Sequence, residues 1–213
     1  MDAIESAFFD LALSCGALRF GTFTLKSGRV SPYFFNAAAF AAGEPLLALG
    51  RLYAAGVERA RLPYDMLFGP AYKGIPLATA LAIGLALDHG RNVPYSFNRK
   101  EAKDHGEGGR IVGPPLSGRV LVIDDVISAG TSIGESASLI AAASATLAGV
   151  VIALDREERG QGPTSAAAEV EARYNAPVIR LARLSGLLDY LAEHDALKDH
   201  HQAVAEYRAR YGA

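Results

Sequence analysis

The sequence predicts an α/β protein in which a central parallel β-sheet is covered by helices on both faces. From residue 66 onward, short apolar segments alternate with segments that have helical spacing. The segment VLVI, residues 120–123, is apolar at every position, which is typical of a strand buried on both faces. Buried strands that alternate with helices indicate a parallel sheet. Ligands of such sheets bind beyond the carboxyl ends of the strands.

The individual elements follow from periodicity and from turn residues. Apolar spacing predicts helices at 2–14 and 44–62, with short strands at 20–25 and 33–36 between them. The alternating region gives strands at 66–68, 94–98, 120–123, 150–154 and 178–181, and helices at 75–87, 131–147 and 163–174. Two further helices are predicted at 185–193 and 196–210. The charged, glycine-rich segment RKEAKDHGEGG, residues 99–109, is predicted to be a mobile surface loop.

The composition excludes several classes of protein. The chain has 213 residues, of which 50% are hydrophobic, so one compact domain is expected. Its 21 Lys plus Arg against 23 Asp plus Glu give a net charge of −2, which disfavours a nucleic-acid binder. The single cysteine, Cys15, permits no intrachain disulfide and fits a reducing compartment.

We expect no membrane segment and a cytoplasmic location. The N-terminus carries Asp2, Glu5 and Asp10 rather than a basic leader, unlike a signal peptide. The longest apolar run, residues 138–154, is shorter than the roughly 20 residues that a transmembrane helix needs. Gly149 divides this run into an alanine-rich half and a β-branched half, so a helix followed by a strand explains it better.

The most informative segment is VLVIDDVISAGTSIGES, residues 120–136. A buried strand ends in Asp124 and Asp125, and a short turn leads to a helix that starts at Thr131 or Ser132. Free amides and the positive end of the helix dipole at such a start favour a phosphate. The paired carboxylates would repel a phosphate but suit hydroxyl donors or a metal-bound group. The segment therefore predicts a site for a ribose 5-phosphate.

Two alternative interpretations of this segment compete with a ribose 5-phosphate site. A hydrophobic strand that ends in two acids also resembles the metal-binding strand of P-loop NTPases. The chain has no GxxxxGK[ST] sequence, however, so the other half of that site is missing. The second alternative is an ordinary strand–turn–helix with a capping threonine, but a cap does not need paired acids beside three hydroxyls and a glycine.

The same segment resembles the phosphoribosyl pyrophosphate (PRPP) signature of type I phosphoribosyltransferases. The resemblance implies their fold, with a core of about residues 61–180 and a small hood mainly from residues 1–60 and 180–213, all within one domain of residues 1–213. It also implies PRPP-binding residues, which in this segment are Asp124, Asp125, Val126, Ile127, Ser128, Ala129, Gly130, Thr131 and Ser132.

The segment LKSGRVSPYFFN, residues 25–36, indicates which base accepts the phosphoribosyl group. From the residues alone it is a hairpin with a basic turn, and its aromatic pair would usually lie in the core. The string closely resembles the orotate-site segment of orotate phosphoribosyltransferases. That family implies that Lys26 lies near the base and PRPP, that Phe34 and Phe35 flank orotate, and that Arg156 binds its carboxylate. Ser128, where family members often have threonine, is expected to keep the contact with orotate.

The segment FGPAYKGIPLA, residues 68–78, places a lysine on a second loop between a strand and a helix. A lysine there is usually a solvated surface charge. By resemblance, Tyr72 and Lys73 belong to the pyrophosphate loop of the family. We expect a non-proline cis peptide at Ala71–Tyr72, as relatives often have one in this loop.

The charged segment 97–109 would by composition be a solvated loop. Its cations and glycines also suit a closing loop that meets a pyrophosphate. By resemblance, Arg99, Lys103 and His105 reach the neighbouring subunit of a homodimer, and Lys100 serves its own chain's site. Lys103 is predicted to act in the transition state, together with the catalytic acids Asp124 and Asp125.

The resemblance implies a Mg²⁺-dependent transfer of the phosphoribosyl group from PRPP to orotate. Mg²⁺ is expected to be held mainly through PRPP, since the sequence shows no metal-ligand pattern. A phosphoribosyltransferase for uracil, hypoxanthine or adenine remains an alternative, as does a non-catalytic PRPP-binding regulator. Regulators of that kind usually add a DNA-binding module, and no basic helix-turn-helix is evident here. A fused UMP synthase is disfavoured, since 213 residues leave no room for a decarboxylase domain.

Overall fold

The computed structural model describes residues 2–25, 28–103, 109–160 and 162–213, and of residues 102, 103 and 109 only the backbone. The helices and strands follow one another in this order: α1 (Ala3–Ser14), β1 (Leu18–Thr24), β2 (Val30–Phe35), α2 (Gly43–Ala60), β3 (Met66–Gly69), α3 (Gly74–His89), β4 (Tyr95–Lys103), β5 (Gly109–Val112), β6 (Arg119–Asp124), α4 (Thr131–Ala142), β7 (Thr146–Asp155), α5 (Ala166–Tyr174), β8 (Val178–Arg183), α6 (Leu184–Glu193) and α7 (His201–Tyr211).

The central sheet has six strands in the order β5-β4-β3-β6-β7-β8. The pairs β4–β3, β3–β6, β6–β7 and β7–β8 are all parallel, whereas β5 is antiparallel to β4. The predicted α/β fold with a central, mostly parallel sheet is therefore confirmed. The order places β3, β6 and β7 side by side in the middle, so the loops that follow them emerge next to one another.

The segment 99–109 was predicted to be a mobile surface loop, but both of its ends are strands. β4 continues to Lys103, and β5 begins at Gly109 and pairs with it. The charged composition suggested a loop, but an edge hairpin can pair its backbone while its charged side chains stay in water. The prediction for 104–108 lies outside the described residues.

Helices cover both faces of the sheet because the strand residues alternate in direction. In β6, Leu121 and Ile123 belong to an apolar cluster shared with α2 and α3, whereas Val120 and Val122 belong to a second cluster with α4 and α5. All four side chains are fully buried. This accounts for the uninterrupted apolar pattern of the segment.

The N-terminal and C-terminal segments meet over the α2–α3 face. β1 and β2 form a separate antiparallel two-stranded sheet. α1 contacts α6 and β8, and α7 contacts β2. Phe9 of α1 packs on Tyr190 of α6, and Tyr33 of β2 packs edge-on to Tyr207 of α7. These elements correspond to the expected hood, and its division from a core at residues 60 and 180 stays a prediction.

Two predicted helices differ from the structure more than the others do. The helix predicted at 131–147 ends at Ala142, and β7 begins at Thr146, four residues before the predicted start. Alanine-rich sequence is compatible with helix, but Ser144 has a φ of 57°, and the Thr146 amide bonds the Gly118 carbonyl at 2.8 Å. The helix predicted at 196–210 begins instead as the 3-10 helix Asp195–His200. Within the described residues, no helix has the length and apolarity that a membrane span requires.

Candidate active site

The carboxyl end of β6 carries the two acids that the sequence singled out. Asp124 accepts a hydrogen bond on Oδ2 from the Ser132 hydroxyl at 2.7 Å, and on Oδ1 from the Asp125 amide at 2.9 Å. Both acids are buried, with 8% and 5% of their surface exposed. The bond to Ser132 joins the end of the strand to the first turn of α4. The intervening loop is thereby held in a closed turn.

The start of α4 presents backbone amides to the space above this turn. Gly130 has a φ of 70°, a left-handed conformation that glycine adopts without a steric cost. The first bond within the helix runs from the Gly134 amide to the Gly130 carbonyl at 2.9 Å, so the amides of 130–133 have no acceptor inside the helix. No side chain in the described parts of the chain caps α4. These amides can therefore bind an anion.

The side chains of the loop divide into anchors and exposed residues. Ile127 is buried in the cluster beneath α4 and α5, and Val126 packs against the cluster on the other face of the sheet. Ser128, Ala129 and Thr131 are exposed. The anchors fix the backbone, and the small exposed residues leave room for a ligand to approach it.

Lys73 lies beside this turn, as the sequence predicted for a second loop at the same sheet edge. Its Nζ is 2.7 Å from Oδ2 of Asp125. The Lys73 side chain is 55% exposed and that of Asp125 is 6% exposed, so the ammonium group projects from a buried acid into solvent. The structure thus brings the cation of one loop into contact with the paired acids of the other.

Close packing of the β3–α3 loop against β6 makes this contact possible. A Cβ on Gly74 would lie 2.9 Å from the Ile123 carbonyl oxygen and 2.5 Å from Cδ of Pro70. Only glycine therefore fits beside Lys73. The peptide bond between Ala71 and Tyr72 is cis, which confirms the expectation from the resemblance.

Two polar residues that the sequence analysis missed support these loops. Asn98 of β4 accepts a hydrogen bond on Oδ1 from the Ala71 amide at 2.8 Å. Tyr53 of α2, fully buried, donates its hydroxyl to the Asp124 carbonyl oxygen at 2.9 Å. A polar residue at the carboxyl end of a predicted strand was a usable signal for Asn98. Nothing local marked Tyr53, whose partner is 71 residues away.

The pKa of Asp124 is raised above its ordinary value. Burial raises the pKa of Asp124 to about 6; the Ser132 hydroxyl bond lowers it, and the nearby Asp125 carboxylate raises it. Ionisation of Asp124 at neutral pH therefore costs free energy, because the buried carboxylate has lost most of its hydrating water. A ligand with hydroxyl donors would relieve that cost by hydrogen bonding the carboxylate.

Arg156 follows the end of β7, next to β6 in the sheet. The Ala153 and Leu154 amides donate to the Asp125 carbonyl at 3.0 and 3.2 Å, so Arg156 emerges beside the paired acids. Its Nε donates to Oε1 of Glu158 at 2.7 Å, and its guanidinium carbon is 5.0 Å from the ring centroid of Tyr33. The contact with Glu158 was not predicted.

Phe34 and Phe35 are adjacent in β2, and their rings have different surroundings. Phe35 is buried in the core and packs against Phe8 and Phe40. Phe34 is half-buried and stacks on Phe23 at a centroid distance of 5.4 Å. The structure does not bring the two rings together on one face, because neighbouring residues of a strand point to opposite sides. A shared contact with one ligand stays a prediction.

The cations of the charged segment are only partly described. Arg99 is half-buried and Lys100 is exposed. Nζ of Lys100 lies 5.0 Å from the ring centroid of Tyr72 in the same chain, and Tyr72 is 66% exposed. The predictions for Lys26, for the side chain of Lys103 and for His105 lie outside the described residues.

Metal binding by the protein alone is not supported in the described part of the chain. No group of three or more His, Cys, Asp or Glu side chains is gathered there in a way that could hold a metal ion. Two acids at one strand end do fit a cation that is already chelated by a ligand, because such an ion needs few protein donors.

Comparison with known proteins identifies the family. Residues 40–172 match the family described as phosphoribosyl transferase domain. The orotate phosphoribosyltransferases of Thioalkalivibrio sulfidiphilus and Yersinia enterocolitica are 57% and 55% identical over 212 residues, covering 100% of this chain and of each relative. The crystal structure of orotate phosphoribosyltransferase from Francisella tularensis, 40% identical, superposes with a TM-score of 0.87 and covers 97% of this chain and 99% of its own. The chain belongs to the phosphoribosyltransferase family and, within it, to the orotate phosphoribosyltransferases.

Proposed function

We propose that this chain transfers the phosphoribosyl group of PRPP to orotate, giving orotidine 5′-monophosphate and pyrophosphate, as a step of pyrimidine nucleotide synthesis. The observation that carries the proposal is the contact of Lys73 with Asp125 beside the free amides of α4. The β3–α3 loop and the loop before α4 each offer a site for an anion, and the paired acids lie between these two sites. PRPP has that same order of groups: a phosphate at one end, hydroxyls in the middle and a diphosphate at the other.

The segment 124–132 would hold the phosphoribosyl group. Its amides, with the hydroxyls of Ser128, Thr131 and Ser132, bind the 5′-phosphate. Asp124 and Asp125 accept hydrogen bonds from the ribose hydroxyls. As the bond from the anomeric carbon to pyrophosphate lengthens, the sugar gains positive charge, and the carboxylates stabilise it.

The leaving pyrophosphate would be bound by cations from three loops. The first of these cations is Lys73 of the β3–α3 loop, which follows Tyr72 and contacts Asp125. The contact of Lys100 with the Tyr72 ring supports a role for Lys100 at its own chain's site. Arg99, Lys103 and His105, with Lys26 from the β1–β2 turn, complete the set. Lys103 is proposed to stabilise the transition state.

The base would lie between β2 and the loop after β7. Arg156 offers a guanidinium fork to the orotate carboxylate, a group that uracil and purines lack. Lys26, Phe34, Phe35 and Ser128 are the other proposed contacts. Orotate's ring nitrogen then attacks the anomeric carbon directly, without a covalent intermediate on the enzyme.

Mg²⁺ would enter with PRPP. When bound, it neutralises charge on the diphosphate. Asp124 and Asp125 are proposed to interact with the hydroxyls of a metal-chelated ribose. The chain's own part is to hold the sugar and to supply the cations that meet the released pyrophosphate.

We also propose a homodimer in the cytoplasm. The outer face of α2 and α3 exposes Leu47, Ile83 and Leu87, the last two with 46% and 60% of their surface accessible. A pocket of about 500 Å³ lies beside it, between residues 37–46 and 72–77. Apolar surface of this kind marks an interaction site. In such a homodimer, Arg99, Lys103 and His105 of one chain are proposed to serve the site of the other.

The direct assay follows the loss of orotate absorbance after PRPP and Mg²⁺ are added, with each omitted in turn. The proposal predicts loss only when all three are present, and release of one pyrophosphate per orotate. Uracil, hypoxanthine and adenine serve as alternative bases. Turnover of one of these with no turnover of orotate would overturn the assignment.

A further inference from the structure

Glu158 connects three parts of the chain beside the paired acids. Its Oε1 accepts from Nε of Arg156 at 2.7 Å and from the Tyr207 hydroxyl at 2.8 Å. Its Oε2 accepts from Nη1 of Arg29 at 3.0 Å. The carboxylate thus joins the loop after β7 to the β1–β2 turn and to α7, and its side chain is only 14% exposed.

These contacts fix the plane of the Arg156 guanidinium. Glu158 occupies its Nε and Nη2 edge, with Nη2 at 2.6 Å from Oε1 and 3.3 Å from the Tyr207 hydroxyl. The Tyr33 ring lies against the guanidinium at 5.0 Å. The contacts with Glu158 and Tyr207 use Nε and Nη2, so the Nη1 donors point away from them and can meet another acceptor.

The charge of the cluster favours an anion at Arg156. Glu158 pairs with both Arg156 and Arg29, so its single negative charge is shared between two guanidinium groups. The Arg156 side chain is only 18% exposed, and a charge with little water around it attracts an opposite charge more strongly than one in solvent. A carboxylate beside Nη1 of Arg156 would therefore be bound favourably.

We propose that Glu158 is a positioning residue that aims Arg156 at the carboxylate of the base and so contributes to selection of a carboxylated base. This rests on the proposed function, in which Arg156 binds orotate. Glu158 is itself held: its backbone forms a bridge with Gly212, and the Arg159 amide donates to the Tyr211 carbonyl at 3.0 Å. The loop that carries Arg156 is therefore braced by the C-terminal residues of the chain.

The isosteric substitution Glu158→Gln distinguishes a positioning role of Glu158 from an effect of its negative charge alone. Removing the negative charge alone would strengthen attraction of a carboxylate and lower the KM for orotate. Loss of positioning would instead raise the KM for orotate, because one amide oxygen cannot accept hydrogen bonds from two guanidinium groups and a hydroxyl. We expect the KM for orotate to rise roughly tenfold, with kcat and the KM for PRPP changed by less than about twofold. The neutral analogue with a carboxamide in place of the carboxylate should lose no efficiency.

Glu157→Gln is the matched control, since Glu157 lies in the same loop and contacts Ser185 and Arg208 instead of Arg156. It should leave the KM for orotate unchanged. Tyr207→Phe, which removes one hydroxyl from Oε1 of Glu158, should raise that KM by a smaller factor and covers the case in which Glu158→Gln fails to fold. An unchanged or lowered KM in Glu158→Gln, or an equal rise in Glu157→Gln, overturns the inference. A wild-type protein that does not convert orotate overturns the proposed function as well.

Discussion

Replacing Asp124 with asparagine should stabilise the unliganded protein while it abolishes catalysis. Asparagine has the same shape: its Oδ1 can accept from the Asp125 amide, and its Nδ2 can donate to the Ser132 hydroxyl. The change therefore removes a buried charge and keeps both hydrogen bonds. Stability given up for function at an active site is a common pattern.

The magnitude follows from the pKa of Asp124. A rise from the ordinary 3.8 to about 6 corresponds, at 1.36 kcal/mol per pKa unit, to about 3 kcal/mol of unfavourable free energy when the group is ionised. Below pH ~4 the acid is protonated in both states and the penalty is absent. It develops between pH ~4 and ~6, where only the unfolded chain is ionised, and it is complete above that range.

Urea denaturation of both proteins between pH 4 and pH 8 measures the difference. The free energy of unfolding of Asp124→Asn should exceed that of wild type by about 3 kcal/mol at pH 7.5, and the two values should converge toward pH 4. The control is Asp65→Asn, because hydrogen bonds from Arg119 lower the pKa of Asp65 to about 2. This variant should not be more stable than wild type at neutral pH. An Asp124→Asn protein that is less stable than wild type at pH 7.5 would refute the reasoning.

Three other substitutions test separate parts of the account. Gly50→Ala would put a Cβ 2.3 Å from the Ala80 carbonyl oxygen, so α2 and α3 must separate. The free energy of unfolding, measured by thermal or urea denaturation, should therefore fall by about 1–3 kcal/mol. An unchanged unfolding midpoint would contradict the close packing of the two helices. Lys103→Ala should lower kcat roughly 100-fold, the scale of losing one preorganised charge, and a change below about threefold in steady-state kinetics would refute its role. Arg156→Lys should raise the KM for orotate with little change in the KM for PRPP, since lysine lacks the guanidinium fork, and equal KM values for wild type and variant would remove Arg156 from the base site.

Much of the site was predictable because its chemistry is local in sequence. Asp124 and Asp125 at a strand end, followed by a glycine and hydroxyls before a helix, specified the strand, the turn and the free amides together. The parallel sheet then placed Lys73 at the same edge, and the structure puts it 2.7 Å from Asp125. The cis peptide at Ala71–Tyr72 came from the family resemblance alone.

What escaped prediction depends on contacts between distant segments. Tyr207 lies 49 residues from Glu158, and Arg29 lies 129 residues from it, so no spacing indicates that they share one carboxylate. The opposite surroundings of the Phe34 and Phe35 rings could have been read from the two-residue period of a strand. The β4–β5 pairing was missed because charge and glycine content describe solvation, whereas strand pairing at a sheet edge needs only backbone groups.

A crystal structure with ribose 5-phosphate bound tests the central claim most directly. The account predicts the phosphate on the amides at the start of α4, with the ribose hydroxyls donating to Asp124 and Asp125. A phosphate bound instead at Arg156, with the two acids out of reach of the sugar, would contradict it.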